Sequence, residues 1–345
     1  TLTDRVDPKR IYLFGVGCMV VGHGLFGLLA EGFWSALALR ALTGLGWAGT
    51  YMTGIKLLAE RVDERLMARA VTGHAAGIGI AGSLSFVCGD AIADAAGWPA
   101  AFIAAGASAA IAWLAVAMLV PGQATAPSTP RDGGRLYDFR PVLRNRSAMA
   151  YALAYCVHTL EMSALRGWGV AFLGYVAAST TGSAPVMSPA AIATAIGLVG
   201  TVASVTGSEI AIRWGRRRLI AIAMGVSIAS GATLGFLGVE SYGIAVALLV
   251  IYFWFAWLDS SSLTAGAAGT AEPSRRGATL AVHSMLGYGG GFVGPLVVGW
   301  ILDLSGGMSR IGWGLAFLAV AVLVAAALAA FLAIRPKALA GDRRA

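Results

Sequence analysis

Charged residues and cysteines are scarce in this sequence of 345 residues. Asp, Glu, Lys and Arg make up 12% and hydrophobic residues 58%, whereas about a quarter of a soluble domain is charged. Cys18, Cys88 and Cys156 all fall within apolar stretches, too few and too deep for a disulfide framework or a zinc site. No Gly-rich turn ends in Gly-Lys-Ser or Gly-Lys-Thr, so ATP is not expected as the energy source. No catalytic triad, metal cluster or cofactor motif points to an enzyme.

Long apolar runs dominate the sequence instead. A helix needs about 20 residues to cross a hydrocarbon layer of roughly 30 Å. Ten runs have about that length or more: 11–30, 33–58, 71–95, 99–120, 147–177, 189–212, 218–238, 242–269, 278–302 and 311–334. The sequence therefore predicts an all-α polytopic membrane protein.

The positive charges lie on one side of the predicted membrane. When the runs alternate in direction, the connections on the side of the chain start hold all but three of the 25 Lys and Arg. Arg310 lies opposite, and Arg40 and Arg166 lie inside apolar runs. Short positive loops remain cytoplasmic, so both ends of the chain are predicted to be cytoplasmic, in a bacterial inner membrane. The net charge of +8 follows this loop pattern, and a nucleic-acid partner is not predicted.

The second part of the chain repeats the first. A shift of 209 residues superimposes several residues: His74 on His283, Gly82 on Gly291, Asp94 on Asp303 and Gly97 on Gly306. The basic loop 4–10 has a counterpart at 212–218. Two related halves are predicted, with four runs in the first and six in the second. We therefore expect two further spans to precede Thr1 in a parent protein of twelve spans.

Three segments resemble motifs of the major facilitator superfamily. Asp4-Arg5-x-x-x-Lys9-Arg10 resembles the end of the family's loop between helices two and three. Arg40-x-x-x-Gly44-x-Gly46-x-x-Gly49 resembles its fourth-helix motif. Gly290-x-x-x-Gly294-Pro295-x-x-Val298-Gly299 resembles the Gly-Pro motif of antiporter helix five, but lies on helix eleven, the repeat counterpart. Helix five itself has Gly73-x-x-x-Gly77 followed by Ile78 where the motif has Pro. Spaced glycines also let helices approach closely in lipid.

The resemblance implies a major facilitator fold of two six-helix bundles. Residues 1–120 would hold family helices 3–6 and residues 147–334 helices 7–12. Segment 121–146 would be a cytoplasmic linker between the bundles, and 335–345 a cytoplasmic tail. The implied activity is secondary active transport of a small solute by alternating access around a midplane site, by a monomer in the lipid bilayer with the proton as coupling ion.

The direction of transport stays open at this point. The fourth-helix Arg motif favours proton antiport and efflux. The run Tyr155-x-x-His158-x-x-Glu161 is similar to one in some bacterial permeases near the nitrate and cyanate transporters, which favours uptake of a small anion. A non-transporting membrane sensor or assembly partner is the alternative of another class.

Ionisable residues inside the spans are the candidate substrate and coupling residues, because a charge near the bilayer centre costs at least about 2.5–3.5 kcal/mol. Arg40 is predicted to couple or gate, or else to form a structural ion pair. At 100° per residue, His158, Glu161 and Trp168 share one stripe of a helix that lines the family's central cavity, and Arg166 lies off its edge. Histidine titrates near physiological pH and burial disfavours a charged carboxylate. This pair is therefore predicted to handle a proton or substrate, with a satisfied hydrogen-bonded pair as the alternative.

Tyr252 and Asp259 share a face of the family's tenth helix. Asp259 is predicted to be a cavity acid, or else to bond to neighbouring serines or backbone.

A further set of residues is expected to gate the transporter. The family places Asp4, with Arg5, against the start of helix eleven, where a carboxylate is stabilised by about 0.3–1 kcal/mol. Arg213 and Arg216 belong to the counterpart loop, in which Ile212 replaces the Asp. The gating set therefore consists of Asp4, Arg5, His74, Arg213, Arg216 and His283. The two histidines lie just inside equivalent cytoplasmic helix ends, and local capping is their alternative role.

Overall fold

The computed structural model describes residues 6–59, 62, 64–122, 139–180, 187–272, 275–337 and 339, which form helices and turns without a strand. The helices are α1 (Pro8–Leu29), α2 (Phe33–Ala59), α3 (Glu64–Ala96), α4 (Trp98–Leu119), α5 (Arg140–Arg144), α6 (Arg146–Ser179), α7 (Pro189–Trp214), α8 (Arg216–Leu237), α9 (Tyr242–Leu258), α10 (Ser260–Thr270), α11 (Arg276–Leu304) and α12 (Arg310–Ile334). The all-α prediction is confirmed. The predicted gating residues Asp4 and Arg5, and positions 123–138 of the predicted linker, lie outside the described residues.

Eight helical segments of the described chain are long and apolar enough to cross a membrane, with α9 and α10 together forming one of them. The predicted runs 33–58 and 147–177 coincide with α2 and α6, which are 27 and 34 residues long. These two helices carry Arg40, His158, Glu161 and Arg166 in their interior. The two helices that are not among these eight segments therefore hold these four candidate residues, whereas Tyr252 and Asp259 lie in the span formed by α9 and α10.

Side chains at the helix starts follow the usual capping chemistry. Asp7 accepts a hydrogen bond from the amide of Lys9 (2.9 Å), and Pro8 occupies the first helical position of α1. Asn145, Ser188 and Ser241 cap α6, α7 and α9 in the same way. Each cap satisfies an amide that the helix itself leaves without an acceptor.

The chain divides into two compact units, Thr1–Gly134 and Arg135–Ala345, called unit 1 and unit 2 below. In unit 1, α1 packs against α2 and α4, and α3 packs against α4. Gly15 of α1 faces Gly46 and Gly49 of α2 so closely that a β-carbon at Gly46 would lie 2.6 Å from the Gly15 carbonyl oxygen. The glycines after Arg40 therefore pack helices together, as the sequence predicted, except that Gly44 faces open space.

Helix α6 lies at the centre of unit 2 and packs against α7, α9, α10, α11 and α12. Gly290 and Gly294 of α11 face the backbone carbonyls of Cys156 and Leu160, leaving no room for a β-carbon. Large aromatic side chains, including Phe172, Trp313 and Phe317, fill the remaining core. This close packing fixes α6, and with it the polar side chains that α6 carries.

Candidate functional site

A buried pair of opposite charge-bearing groups joins α6 to the end of α9. His158 Nδ1 lies 3.0 Å from Asp259 Oδ1, and the two residues are 4% and 2% exposed. The two atoms are not aligned as a hydrogen bond, so the contact is electrostatic. A pair of this kind is held where water does not screen it, which makes its protonation state matter to the conformation of unit 2.

Glu161 lies one turn along α6 from His158 and is also buried, at 3% exposure. Its carboxylate interacts with the hydroxyl of Tyr252 on α9 and with the charge of Asp259. Neither Glu161 Oε1 nor the Tyr252 hydroxyl makes a hydrogen bond of standard geometry within the described part of the chain. Two carboxylates and an imidazole thus share one buried region between α6, α9 and α10.

The helix that carries Asp259 is interrupted at that residue. Helix α9 ends at Leu258 and α10 begins at Ser260, although the sequence predicted one continuous run. Asp259 is followed by Ser260, Ser261 and Ser262, side chains that compete with the helix for backbone hydrogen bonds. Broken helices at membrane depth are tolerated where protein surrounds them. At the interruption Asp259 has φ of −93° and ψ of −9°, still near the helical region, and lies beside His158.

Neighbouring helices hold both sides of this interruption. The Ser261 hydroxyl donates to the carbonyl of Ser204 on α7 (2.9 Å). On α8, the buried Arg216 donates from Nη1 to the carbonyl of Ser262 (3.3 Å). Gly207 of α7 packs directly against the Leu258 carbonyl.

Three rings are stacked beside the pair. The Tyr155 ring lies 5.7 Å from the His158 ring, with an interplanar angle of 20°. Tyr155 also stacks on the ring of His283 on α11, with ring centres 3.9 Å apart and an interplanar angle of 18°. His283 is 2% exposed, and its Nε2 lies 3.3 Å from the Thr264 hydroxyl of α10. The predicted coupling residue His158 and the predicted gating residue His283 are therefore parts of one cluster.

Trp168, another predicted residue on α6, lies away from this cluster. Trp168 is seven residues beyond Glu161, about 10 Å along the helix axis. It donates from Nε1 to the Pro295 carbonyl (2.9 Å) and packs edge-to-face with Trp313. Its contacts are those of a core residue. Arg166, which lies between Glu161 and Trp168 in the sequence of α6, is part-buried.

Arg40 and His74 belong to unit 1. Arg40 is exposed, and its guanidinium carbon lies 5.7 Å from the Phe26 ring centre and 5.9 Å from that of Phe102. His74 stacks obliquely with Tyr51 at 6.2 Å. Among the counterpart loop residues of unit 2, Arg213 is exposed and lies 3.9 Å from Glu209 on its own helix, so its environment differs from that of the buried Arg216.

Sequence reasoning missed Thr264 and the helix interruption, and did not assign a role to Tyr155. The run Asp-Ser-Ser-Ser was a usable signal for the interruption, because these residues disfavour helix interiors. Thr264 is 19 residues from His283 in the chain, and only the folded arrangement brings the two together. No group of three or more His, Cys, Asp or Glu side chains able to hold a metal occurs among the residues that the structure describes.

The sequence profile of the Major Facilitator Superfamily matches residues 1–251 of the chain. The chain therefore belongs to this superfamily and has the fold of its multi-pass membrane transporters. No curated protein sequence matches it.

Solved structures agree with this fold. A bacterial homologue of the human lysosomal transporter Spinster, in an inward-facing unoccupied conformation, matches with a TM-score of 0.68 at 16% identity, over 96% of this chain and 84% of that one. A mutant of the nucleoside transporter NupG matches with a TM-score of 0.70 at 14% identity, over 95% and 84%. The human organic anion transporter MFSD10 matches with a TM-score of 0.66 at 17% identity, over 96% and 78%.

Proposed function

We propose that the protein is a secondary active transporter that moves a small solute by alternating access and is coupled to protons. The observation that carries this proposal is the buried cluster of His158, Asp259 and Glu161 inside the membrane-spanning part of unit 2. Ionisable side chains at such depth are costly and mark ion pathways or substrate sites. A purely structural bundle would be stabilised more by apolar residues of similar volume. The desolvation cost of burying two charges offsets most of the stabilisation from their mutual attraction.

The arrangement suits proton coupling because its members change charge by gaining or losing one proton. Protonation of Asp259 removes its attraction to His158, while protonation of Glu161 removes its repulsion from Asp259. Each event alters how strongly α6 is held to the interrupted helix α9–α10. The proposed coupling residues are therefore His158, Glu161 and Asp259, with Tyr252 as the neighbour of Glu161, and Arg40 as the candidate in unit 1.

Arg216 is proposed to gate the transporter through its contact with the half-helix α10. Its guanidinium holds the Ser262 carbonyl, three residues from Asp259. A shift of α10 that follows a change in charge at Asp259 would be transmitted to the start of α8. The exposed Arg213 lacks this contact among the described residues, so its role is limited to the positive loop that orients the protein.

The solute and the direction of transport are separate matters. The three structural relatives are named for a lysosomal transporter, a nucleoside and an organic anion, and these differ too much to indicate one chemical class. The charge pattern of the loops supports cytoplasmic ends in a bacterial inner membrane. Both efflux by proton antiport and uptake by proton symport are compatible with the cluster.

The test uses purified protein in liposomes with an imposed pH gradient. A solute is first identified by a thermal-shift screen, because binding stabilises the folded protein by mass action. In wild type, the gradient should drive accumulation of that solute. Glu161→Gln keeps shape and removes titration, so accumulation should be abolished while exchange of labelled for unlabelled solute continues.

Glu209→Gln is the matched control, since Glu209 is an exposed carboxylate on α7, and it should behave as wild type. Accumulation by Glu161→Gln with unchanged pH dependence would make Glu161 a structural residue and pass coupling to Asp259 or Arg40. A wild-type protein that binds solute but exchanges none would instead favour the sensor alternative.

A further inference from the structure

We propose that the chain segment after α12 is a releasable strap that holds the end of the half-helix α10 against α6. The strap is formed by residues 335–337 and 339. It regulates the proposed function and rests on it, because the strap limits the shift of α10 that is proposed to follow a change in charge at Asp259.

The chain turns back on unit 2 where α12 ends. Arg335 has φ of +52° and ψ of +66°, a left-handed conformation, while its amide still donates to the Phe331 carbonyl (3.1 Å). Pro336 follows, and it cannot continue the helix because it has no N–H to donate. Pro336 is buried, so the strap leaves the axis of α12 and packs against the rest of the unit.

Two hydrogen bonds tie the strap to the first turns of α6. The Lys337 amide donates to the Ser147 hydroxyl (3.1 Å). The Lys337 carbonyl accepts from the hydroxyl of Tyr151, one turn further along α6 (3.2 Å). Tyr151 is fully buried, and its ring packs edge-to-face with Phe331 of α12. Both bonds use the backbone of Lys337, whose side chain is exposed.

Two glycines of α10 receive the strap and the ring that it holds. A β-carbon at Gly269 would lie 2.5 Å from Leu339 Cδ2 of the strap. At Gly266, a β-carbon would overlap the ring of Tyr151. Because α10 has no side chain at either position, Tyr151 and Leu339 pack directly on its backbone. The strap therefore bridges α6 and the last turns of α10.

The two ends of α10 are held in different ways. At its start, hydrogen bonds from Ser261 to α7 and from Arg216 of α8 fix the helix. At its end, Asn145 of α6 donates from Nδ2 to the Thr270 carbonyl (2.8 Å), and the strap supplies the contact at Gly269. When the strap is released, α10 can therefore pivot about its start.

The docked strap is close in free energy to the released one. Docking is stabilised by two hydrogen bonds between neutral groups, by burial of Pro336 and by the part-buried Leu339. It is opposed by the left-handed backbone at Arg335 and by the conformational freedom that the segment loses. Opposing effects of similar size let the strap dock and release while unit 2 stays folded.

The test follows the strap and α10 separately, in lipid nanodiscs without solute or pH gradient. Cys18, Cys88 and Cys156 are first replaced by alanine. A nitroxide label at Lys337→Cys reports whether the strap is docked, because the label replaces an exposed side chain and leaves both backbone bonds in place. In other samples, a water-soluble maleimide measures the accessibility of Ser262→Cys on α10, a position that is fully buried.

Two variants weaken the strap at different contacts. Ser147→Ala removes the acceptor of the Lys337 amide, and Leu339→Ala removes the contact with Gly269. Each should make the nitroxide more mobile and raise the labelling rate at Ser262→Cys about fivefold, since one hydrogen bond or one part-buried leucine changes an equilibrium by about this factor. Leu332→Ala is the matched control, because Leu332 is an exposed leucine of α12, and it should change neither signal.

A second reporter separates release of α10 from general loosening of unit 2. Ser227→Cys on α8 is equally buried, and its labelling rate should stay at the wild-type value in both strap variants. A mobile nitroxide with unchanged labelling at Ser262→Cys would overturn the strap, and so would a nitroxide that stays immobile in both variants. Equal increases at Ser227→Cys, or in Leu332→Ala, would also overturn it. Since no solute is present, these outcomes are separate from the effect of Glu161→Gln on transport.

Discussion

Position 50 in unit 1 and position 259 in unit 2 correspond under the 209-residue repeat, and the helices around them differ. Thr50 donates its hydroxyl to the carbonyl of Trp47 (3.1 Å), and α2 continues through it to Ala59. Asp259 instead interrupts its helix and pairs with His158. A hydroxyl that is satisfied within its own helix has no need of a distant partner. A buried carboxylate needs a partner, and at position 259 the helix is interrupted where the carboxylate meets that partner.

A second pair of positions differs in the opposite sense. Arg40 in unit 1 is exposed and lies over aromatic rings, whereas its counterpart in unit 2 is Leu249, which is fully buried in the core. At this pair of positions the repeat therefore preserves the helix but not the charge. Arg40 lies in unit 1 and Asp259 in unit 2, each at a position where the corresponding residue of the other unit, Leu249 or Thr50, is neutral.

Other features of the two units are shared more closely. His74 packs against Gly54 of α2, and His283 contacts Thr264 of α10, nearly the same place on the repeat-related helix. The comparison teaches that some positions, this histidine included, survive duplication, whereas Arg40 and Asp259 each occur in one unit only.

The largest effect is expected from making position 259 resemble position 50. Asp259→Thr leaves His158 buried without its partner, and breaking such a pair costs about 3–5 kcal/mol when one member is removed. The reciprocal control, Thr50→Val, removes only a local hydrogen bond and should cost about 1 kcal/mol. The measurement is thermal unfolding of each variant in detergent. Equal changes in Tm for the two variants would show that the His158–Asp259 contact does not distinguish the units.

A smaller effect is expected from glycines at close helix contacts, which exist in both units. Gly294→Ala pushes a β-carbon into the Leu160 carbonyl of α6, and Gly46→Ala does the same against Gly15. Overpacking of this kind costs about 1–3 kcal/mol. Gly289→Ala and Gly44→Ala serve as controls on the same helices, because nothing lies within 4 Å of either new methyl group. Thermal unfolding should separate each pair, and a control that melts as low as its partner would contradict the packing argument.

The sequence predicted the helices well because their signal is local. Long apolar runs and capping residues such as Asp7 and Ser188 are read directly from neighbouring positions. It also indicated His158, Glu161 and Asp259 as unusual, since charge inside an apolar run needs a reason. The sequence could not show which side chains contact each other. Periodicity places Glu161 and Trp168 on one stripe of α6, but only the packing of α11 shows that Trp168 donates to the Pro295 carbonyl.

The smallest effect concerns a turn that both units share. Gly97 and Gly306 correspond under the repeat and have φ of +84° and +85°, a region that other residues rarely adopt. No atom lies closer than 3.5 Å to a β-carbon built at either glycine. Alanine at either position should therefore destabilise the fold through backbone strain alone, by about 1–2 kcal/mol. Gly97→Ala and Gly306→Ala should therefore lower Tm by similar amounts. Gly32→Ala, in a loop without positive φ and with open space around it, should leave Tm unchanged. A clear difference in Tm between the two turn variants would show that this turn contributes differently to the stability of the two units, although its geometry is the same in both.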